Sequence, residues 1–418
     1  AQLLLGIFIL LLFETLGLWF LNAKMNIAPE KVFDANVVFQ MSCLCLLVNI
    51  IKAPYNAIII AKERMNFYAY ISVAEAAVKL FIAFSISWIV TFRLSYYAIM
   101  LFALTVIVYI LTLMYAKRQI CNLSFQLYFH KAIFKEVLSF SGWNLFGAAS
   151  GAIKSQGINV LMNLFFNTVI NASRGIAFQV LSGIQQFVSN FQVAINPQIV
   201  QSFASGDKDR YLKLTYLSAK LSLYLMWVIA LPVMASLNLI LDVWLGKDMV
   251  PEYTSLFIYI ILFTGLFDAL GSSISVPIYA TGNIKGYQII TSSVKFMVLP
   301  ISYVLYRIGF GPAASMYISL LSAGIEQTSR VIIWGRLVKE SPLIYLNKII
   351  FPALAIIILS SLTMYFIVEY TTKFITIISF GINTIVALLI SILMIYFIGL
   401  NRMEKNQILN IIRKNISK

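Results

Sequence analysis

Long apolar stretches alternate with short polar breaks along the whole chain. A helix that crosses a bilayer needs about 20 mostly apolar residues, since each adds about 1.5 Å of rise against about 30 Å of hydrocarbon. Twelve stretches read that way: 2–22, 36–60, 69–92, 95–116, 138–163, 168–195, 213–237, 254–279, 286–306, 313–336, 348–370 and 374–399. The pattern predicts an all-α polytopic membrane protein. The stretches 138–163 and 168–195 are the least hydrophobic and are rich in Gly, Ser, Asn and Gln. Helices of that kind face other helices or water rather than lipid.

Composition narrows the class further. Of 418 residues, 61% are hydrophobic and 11% charged, and the mean hydropathy is +0.88. Soluble proteins carry about 45–50% apolar and about 25% charged residues. Soluble enzymes, nucleic-acid binders and secreted disulfide scaffolds are therefore excluded. Cys43, Cys45 and Cys121 have neither disulfide nor zinc spacing, and with His130 as the single histidine a histidine metal cluster is impossible. No cofactor is expected.

The formal net charge of +15 reads as loop charge, because Lys and Arg concentrate on the cytoplasmic side of membrane proteins. One set of alternate loops holds Lys62, Arg64, Lys117, Arg118, Lys131, Lys135, Lys208, Arg210, Lys213, Lys285, Arg336, Lys339, Lys348, Arg402, Lys405, Arg413, Lys414 and Lys418. The other holds only Lys24, Lys31, Arg93, Lys247, Arg307 and Lys373. The first set is expected to be cytoplasmic, with the C-terminus inside. Ala1 stands where an initiator Met would and opens within an apolar run, so preceding sequence is expected.

The expected organisation is an N-terminal lobe over 1–117, a basic linker over 118–136 and a C-terminal lobe over 137–337. A further helix pair over 338–399 and a basic tail over 400–418 follow. A weak internal repeat supports two bundles. Pro54 precedes Ala61, Lys62, Arg64 and Tyr68, and Pro277 precedes Ala280, Lys285 and Tyr287. Each following helix carries a lysine expected to be buried, Lys79 or Lys295.

Ionisable residues inside a membrane are costly and face a cavity or a partner. Here they are Glu14, Lys52, Glu75, Lys79, Lys154, Arg174, Lys220, Asp268, Lys295, Glu326 and Arg330, a set with more bases than acids. Glu75–Lys79 and Glu326–Arg330 are spaced i,i+4 on one helical face and read first as structural pairs. Lys154 sits mid-span among Gly147, Ala148, Ala149, Ser150, Gly151 and Gly157, with no acid nearby in sequence. Such an ammonium suits an anionic group, the alternative being a distant partner such as Asp268. Arg174 offers a guanidinium fork to phosphate or snorkels to the interface. Lys79 and Lys295 are further cation candidates, and Asp268, Glu75 and Glu14 are candidates for ion coupling. Asn159, Gln179 and the many other carboxamides of 156–196 point to a hydrated cavity that holds sugar hydroxyls. The chain has no P-loop and no His–Glu metal motif, and its loops are short, so it is expected not to be an enzyme.

Several stretches carry a resemblance. They are Glu14-Thr15-Leu16-Gly17-Leu18-Trp19-Phe20-Leu21-Asn22, Ala53-Pro54-Tyr55-Asn56-Ala57 with Ala61-Lys62-Glu63-Arg64-Met65, and Ser141-Gly142-Trp143-Asn144-Leu145-Phe146-Gly147. Asn171-Ala172-Ser173-Arg174-Gly175-Ile176-Ala177-Phe178-Gln179-Val180 and Trp244-Leu245-Gly246 complete the set. In order and spacing the sequence resembles the Wzx-type O-antigen and polysaccharide flippases, within the superfamily that includes multidrug-and-toxin extruders. The resemblance implies two six-helix lobes plus a helix pair, about fourteen spans in full, with the first two absent here. It also implies movement of undecaprenyl-pyrophosphate-linked oligosaccharide from the inner to the outer leaflet of the bacterial inner membrane by alternating access. Membrane lipids and polysaccharide polymerase machinery would be partners, and nucleic acid would not. Among the candidate cations Arg174 lies inside a matching stretch, whereas Lys154, Lys79 and Lys295 rest on position along their spans. A drug or cation antiporter of the same fold is the alternative, and it would need an acidic pocket. A membrane glycosyltransferase or polymerase would need large loops with acids or arginines.

Overall fold

In the computed structural model the described residues are 2–23, 32–62, 64–89, 91–119, 131–371, 376–402 and 404–405. Most of the expected linker 118–136 and tail 400–418 lies outside them, as do Lys24, Lys31, Cys121, His130, Lys373, Arg413, Lys414 and Lys418. Every regular element among the described residues is helical. Among the described residues eight helices are long and apolar enough to cross a membrane: Val32–Ala61, Asn66–Trp88, Arg93–Arg118, Lys208–Ala235, Thr254–Ala280, Lys285–Arg307, Pro342–Thr371 and Ile378–Gly399. The chain is a membrane-embedded, multi-pass helical protein. It divides into two compact units, Ala1–Tyr128 and Phe129–Lys418.

In the first unit, α1 (Gln2–Leu12) continues through a π-helical turn, Phe13–Gly17, into Leu18–Ala23. Next come α2 (Val32–Ala61), α3 (Met65–Ser85) and α4 (Arg93–Gln119), with α2 and α4 packed most extensively. The buried core is small, centred on Ile82, Leu104 and Val108. Polar side chains tie α1 to α2. Asn22 and Asn36 exchange amide hydrogen bonds of 3.2 and 3.0 Å, and Gln40 donates to Glu14 at 2.9 Å. Ser95 on α4 donates to Asp34 on α2. Many large apolar side chains, such as Phe81, Phe84 and Trp88, stay exposed. In a bilayer that is the expected state, because lipid is as apolar as the side chains themselves.

The second unit contains α5 (Lys131–Phe165), α6 (Thr168–Ala204), α7 (Lys208–Ala235), α8 (Leu237–Leu245), α9 (Thr254–Ala280), α10 (Lys285–Arg307) and α11 (Ala313–Val338). Then α12 runs from Pro342–Tyr345 through a π-helical turn, Leu346–Ile350, to Phe351–Thr371. The last, α13, is Thr376–Met394 with a terminal π-helical turn, Ile395–Gly399. Local signals set the ends. Asn167 Oδ1 accepts from the Ile170 amide at 2.9 Å and Asp207 from the Arg210 amide at 3.0 Å, each satisfying one orphan donor of a helix start.

Helix α9 is the hub, packed on α6, α7 and α11. It approaches closely because Gly265 leaves room for Leu181 and Met226, where a Cβ would meet both at 2.5 and 2.6 Å. Buried Gln192 of α6 places Nε2 3.0 Å from Ser222 Oγ of α7, and 3.0 and 3.2 Å from Ala269 O and Ser273 Oγ of α9. Trp227 of α7 donates to Ser360 of α12 at 2.9 Å, which fastens the last helices to the bundle. Interhelical hydrogen bonds in membranes average about 0.6 kcal/mol each. Replacement Gln192→Leu removes the donor shared by three helices. The expected cost is about 1–2 kcal/mol, read as a lower unfolding temperature in detergent.

Candidate functional site

Besides the short α8, the helices of the second unit absent from the apolar set are α5, α6 and α11. They carry Lys154, Arg174, Glu326 and Arg330, and with α9 and α10 they build the site. Glu326 of α11 is its centre. Its carboxylate accepts from Arg330 Nη2 at 3.1 Å, one helical turn along. Lys154 Nζ of α5 stands 3.7 Å from one of its oxygens and Lys295 Nζ of α10 3.9 Å from the other. Ser322 extends the chain of contacts, taking a hydrogen bond from Lys154 at 3.3 Å and giving one to Glu326 at 3.1 Å. Lys154 therefore has an acid, which no local reading of its sequence neighbours could supply.

Arg330 is held by a second circuit. Its Nε donates to Tyr287 Oη at 3.3 Å, Tyr287 Oη lies 2.8 Å from Ser275 Oγ, and Ser275 donates to Gly271 O at 2.8 Å. The guanidinium packs directly on Gly271, where any Cβ would collide with it. Asp268, one turn earlier on α9, is half-buried and within electrostatic range of Arg330, Lys154, Lys295 and Glu326. No basic group comes within ion-pair distance of it among the described residues. The cluster thus joins three bases to two carboxylates and keeps one excess positive charge.

This cluster edges a cavity of about 810 Å³. Lys295, Arg330 and Asp268 line it on one side, and Asn144, Gln185, Gln192, Asn196 and Gln288 supply carboxamides. Gln288 reaches in because Gly147 has no Cβ to block it. It places its amide 3.5 Å from Asn144 and 3.4 Å from Tyr279. The volume lies within the usual range for small-ligand sites, about 300–1,000 Å³.

The other candidates take different places. Arg174 is buried, 4% exposed, so it does not snorkel. It donates to Asn159 Oδ1 and to Ser155 Oγ, at 3.5 Å for the latter, and lies 4.5 Å from the centre of the Phe178 ring. Its Nε has no partner among the described residues. It therefore forms a second basic point, reaching from α6 onto Ser155 and Asn159 of α5. Gln179 is exposed on α6. In the first unit, Lys79 pairs with Glu75 at 2.7 Å, and its side chain is 54% exposed rather than buried. Lys79 and Lys295, matched in sequence context, thus differ in burial and partners. Glu14 receives Gln40. Lys220 pairs with Glu404 at 2.8 Å, away from the cavity. Glu326, Arg330, Tyr287 and Gln288 were not expected at the site. The one sequence signal for them was the i,i+4 spacing of Glu326 and Arg330.

Among the described residues no group of three or more His, Cys, Asp or Glu could hold a metal ion. No protein-family model matches the chain, and no curated protein matches it.

One buried and two half-buried cations share this carboxylate, so its loss leaves each of them without its ion-pair partner. Glu326→Ala is expected to cost about 3–5 kcal/mol. Lys295→Met in the same background should restore part of it. Thermal unfolding of the single and double variants checks both.

Proposed function

We propose that the chain is a flippase that carries undecaprenyl-pyrophosphate-linked oligosaccharide, an O-antigen or similar surface repeat unit, from the cytoplasmic to the outer leaflet by alternating access. One observation carries the reading: basic side chains from three helices converge beside a carboxamide-rich cavity in a membrane-embedded bundle. Pyrophosphate is a dense anion and suits Lys154, Lys295 and Arg330, with Arg174 as a further contact. Carboxamides of the kind in this cavity bind sugar hydroxyls through paired donors and acceptors. In this reading the membrane is a bacterial inner membrane, and the excess of Lys and Arg in alternate loops supports a cytoplasmic C-terminus. All twelve helical stretches span in this reading, in two lobes plus a helix pair.

Glu326 then occupies, in the empty state, the place of the anion. An incoming diphosphate competes with it for Lys154 and Lys295, and translocation needs no covalent chemistry. The same cavity also supports a second reading. Asp268 presents a carboxylate to it without an ion pair, which suits a coupling cation or proton, or the cationic substrate of an antiporter of the same fold.

The natural full-length protein, expressed in a bacterial strain lacking its own flippase, should restore surface glycan and clear the lipid-linked precursor. Lys154→Ala and Lys295→Ala should each lower that flux about tenfold or more at normal expression, the scale of a lost hydrogen bond to a charged group. In purified protein, Glu326→Gln should bind inorganic pyrophosphate more tightly than wild type. If the precursor persists in several glycan backgrounds while cationic dyes are exported, the antiporter reading replaces this one.

A further inference from the structure

A second cavity, of about 450 Å³, shares no lining residue with the charged one. It lies where four membrane-spanning helices end on the same side. Leu231 and Met234 come from the last turns of α7, and Tyr259 from the start of α9. Met364 and Tyr365 come from the end of α12, and Phe380 and Asn383 from the start of α13. The short helix α8 closes the site. It buries Leu237 and Leu241 and leaves Val243 and Trp244 exposed, 79% and 48%. A short amphipathic helix with an exposed Trp, flanked by the ends of spanning helices, belongs at head-group depth.

Two groups stand out in a polar lining that also includes Asn238, Ser361, Ser379 and Asn383. Asp242 lines it, half-buried, and no ion pair reaches it among the described residues. Ser236 also lines it. Its residue is 6% exposed, and its buried Oγ has no hydrogen-bond partner in the structure. Ser236 caps neither flanking helix through its side chain, so no backbone role explains the hydroxyl. Among the described residues no Lys or Arg lines the cavity. A carboxylate and an orphan hydroxyl, with no cation beside them, call for a ligand that donates several hydrogen bonds from a positive charge. The apolar wall below them calls for a hydrocarbon body.

We propose that this cavity is a binding site for a phospholipid with a primary ammonium head group, of the ethanolamine type. The ammonium lies against Asp242 and Ser236, and an acyl chain follows the wall formed by Met234, Met364 and Phe380. A primary ammonium has three N–H donors, whereas a quaternary choline has none and leaves Ser236 unsatisfied. An anionic glycerol head group brings like charge to Asp242 with no base to offset it. This site does not depend on the flippase reading.

The test is native mass spectrometry of the full-length protein with phosphatidylethanolamine, phosphatidylcholine and phosphatidylglycerol of matched acyl chains. Phosphatidylethanolamine should be retained about tenfold over the other two, the scale of a charge-assisted hydrogen bond. Asp242→Asn should abolish that preference, and Ser361→Trp, which fills the cavity from α12, should lower retention of all three lipids. Ser236→Ala breaks no bond in the fold, so it serves even if Asp242→Asn unfolds, and it should weaken phosphatidylethanolamine severalfold. Soluble ethanolamine phosphate should not displace the lipid. Equal or stronger retention of phosphatidylglycerol, or a preference unchanged in Asp242→Asn or Ser236→Ala, overturns the proposal.

Discussion

A single carboxylate sets the conditions for the second unit. Glu326 stands within 4 Å of Lys154, Lys295 and Arg330, which come from three helices. At such distances two unit charges interact by about 4 kcal/mol at an effective dielectric constant of 20. Three like charges this close repel one another strongly and call for a counter-charge among them. The helices α5, α10 and α11 can therefore close on one another only around Glu326. Gly271 and Gly147 serve the same region: a guanidinium and a carboxamide lie against backbone there, and only a missing Cβ gives them room.

The arrangement also separates two tasks along the chain. The strongly apolar helices, such as α7, α9 and α12, hold the bundle together through dense contacts around Trp227, Phe257 and Leu262. The less apolar α5, α6 and α11 could not face lipid along their whole length. They turn Lys154 and Glu326 toward one another and bury Arg174 against α5, and the cavity lies beside the first pair. Arg174 illustrates the rule. Near a helix end it could reach water, yet it folds inward onto Asn159, Ser155 and Phe178. Its unpaired Nε marks a place where the packing satisfies a guanidinium only in part.

Hydropathy made the helices legible, because a bilayer imposes one length on every span. The stretches 254–279 and 286–306 became Thr254–Ala280 and Lys285–Arg307. It failed at polar ends: α5 begins at Lys131 and α6 runs to Ala204, beyond the apolar windows 138–163 and 168–195. Helical backbone continues there on its own hydrogen bonds, with no hydrophobic signal. The intramembrane charges were legible as a set, but their partners were not. Which lysine meets Glu326 depends on helix rotation and depth, and those are settled by packing at sites such as Gly157 and Leu299 far along the chain. For that reason Lys79 and Lys295 share a sequence context and differ in surroundings. One lies beside an acid on its own helix, the other beside an acid on a neighbouring helix.

Depth in the membrane explains why two carboxylates of one unit behave so differently. Glu326 lies mid-bundle and is tolerable only with bases around it, since an uncompensated charge there carries a large desolvation cost. Asp242 lies half-buried on a short helix at the ends of four apolar helices, where the proposed lipid site would let water and head groups solvate part of its charge. It can remain without an ion pair at small cost and still attract a cation that arrives with a lipid. Charge in the interior must be balanced by the fold itself, whereas charge at the interface is free to be balanced by the membrane. The two cavities of this unit fall on opposite sides of that division.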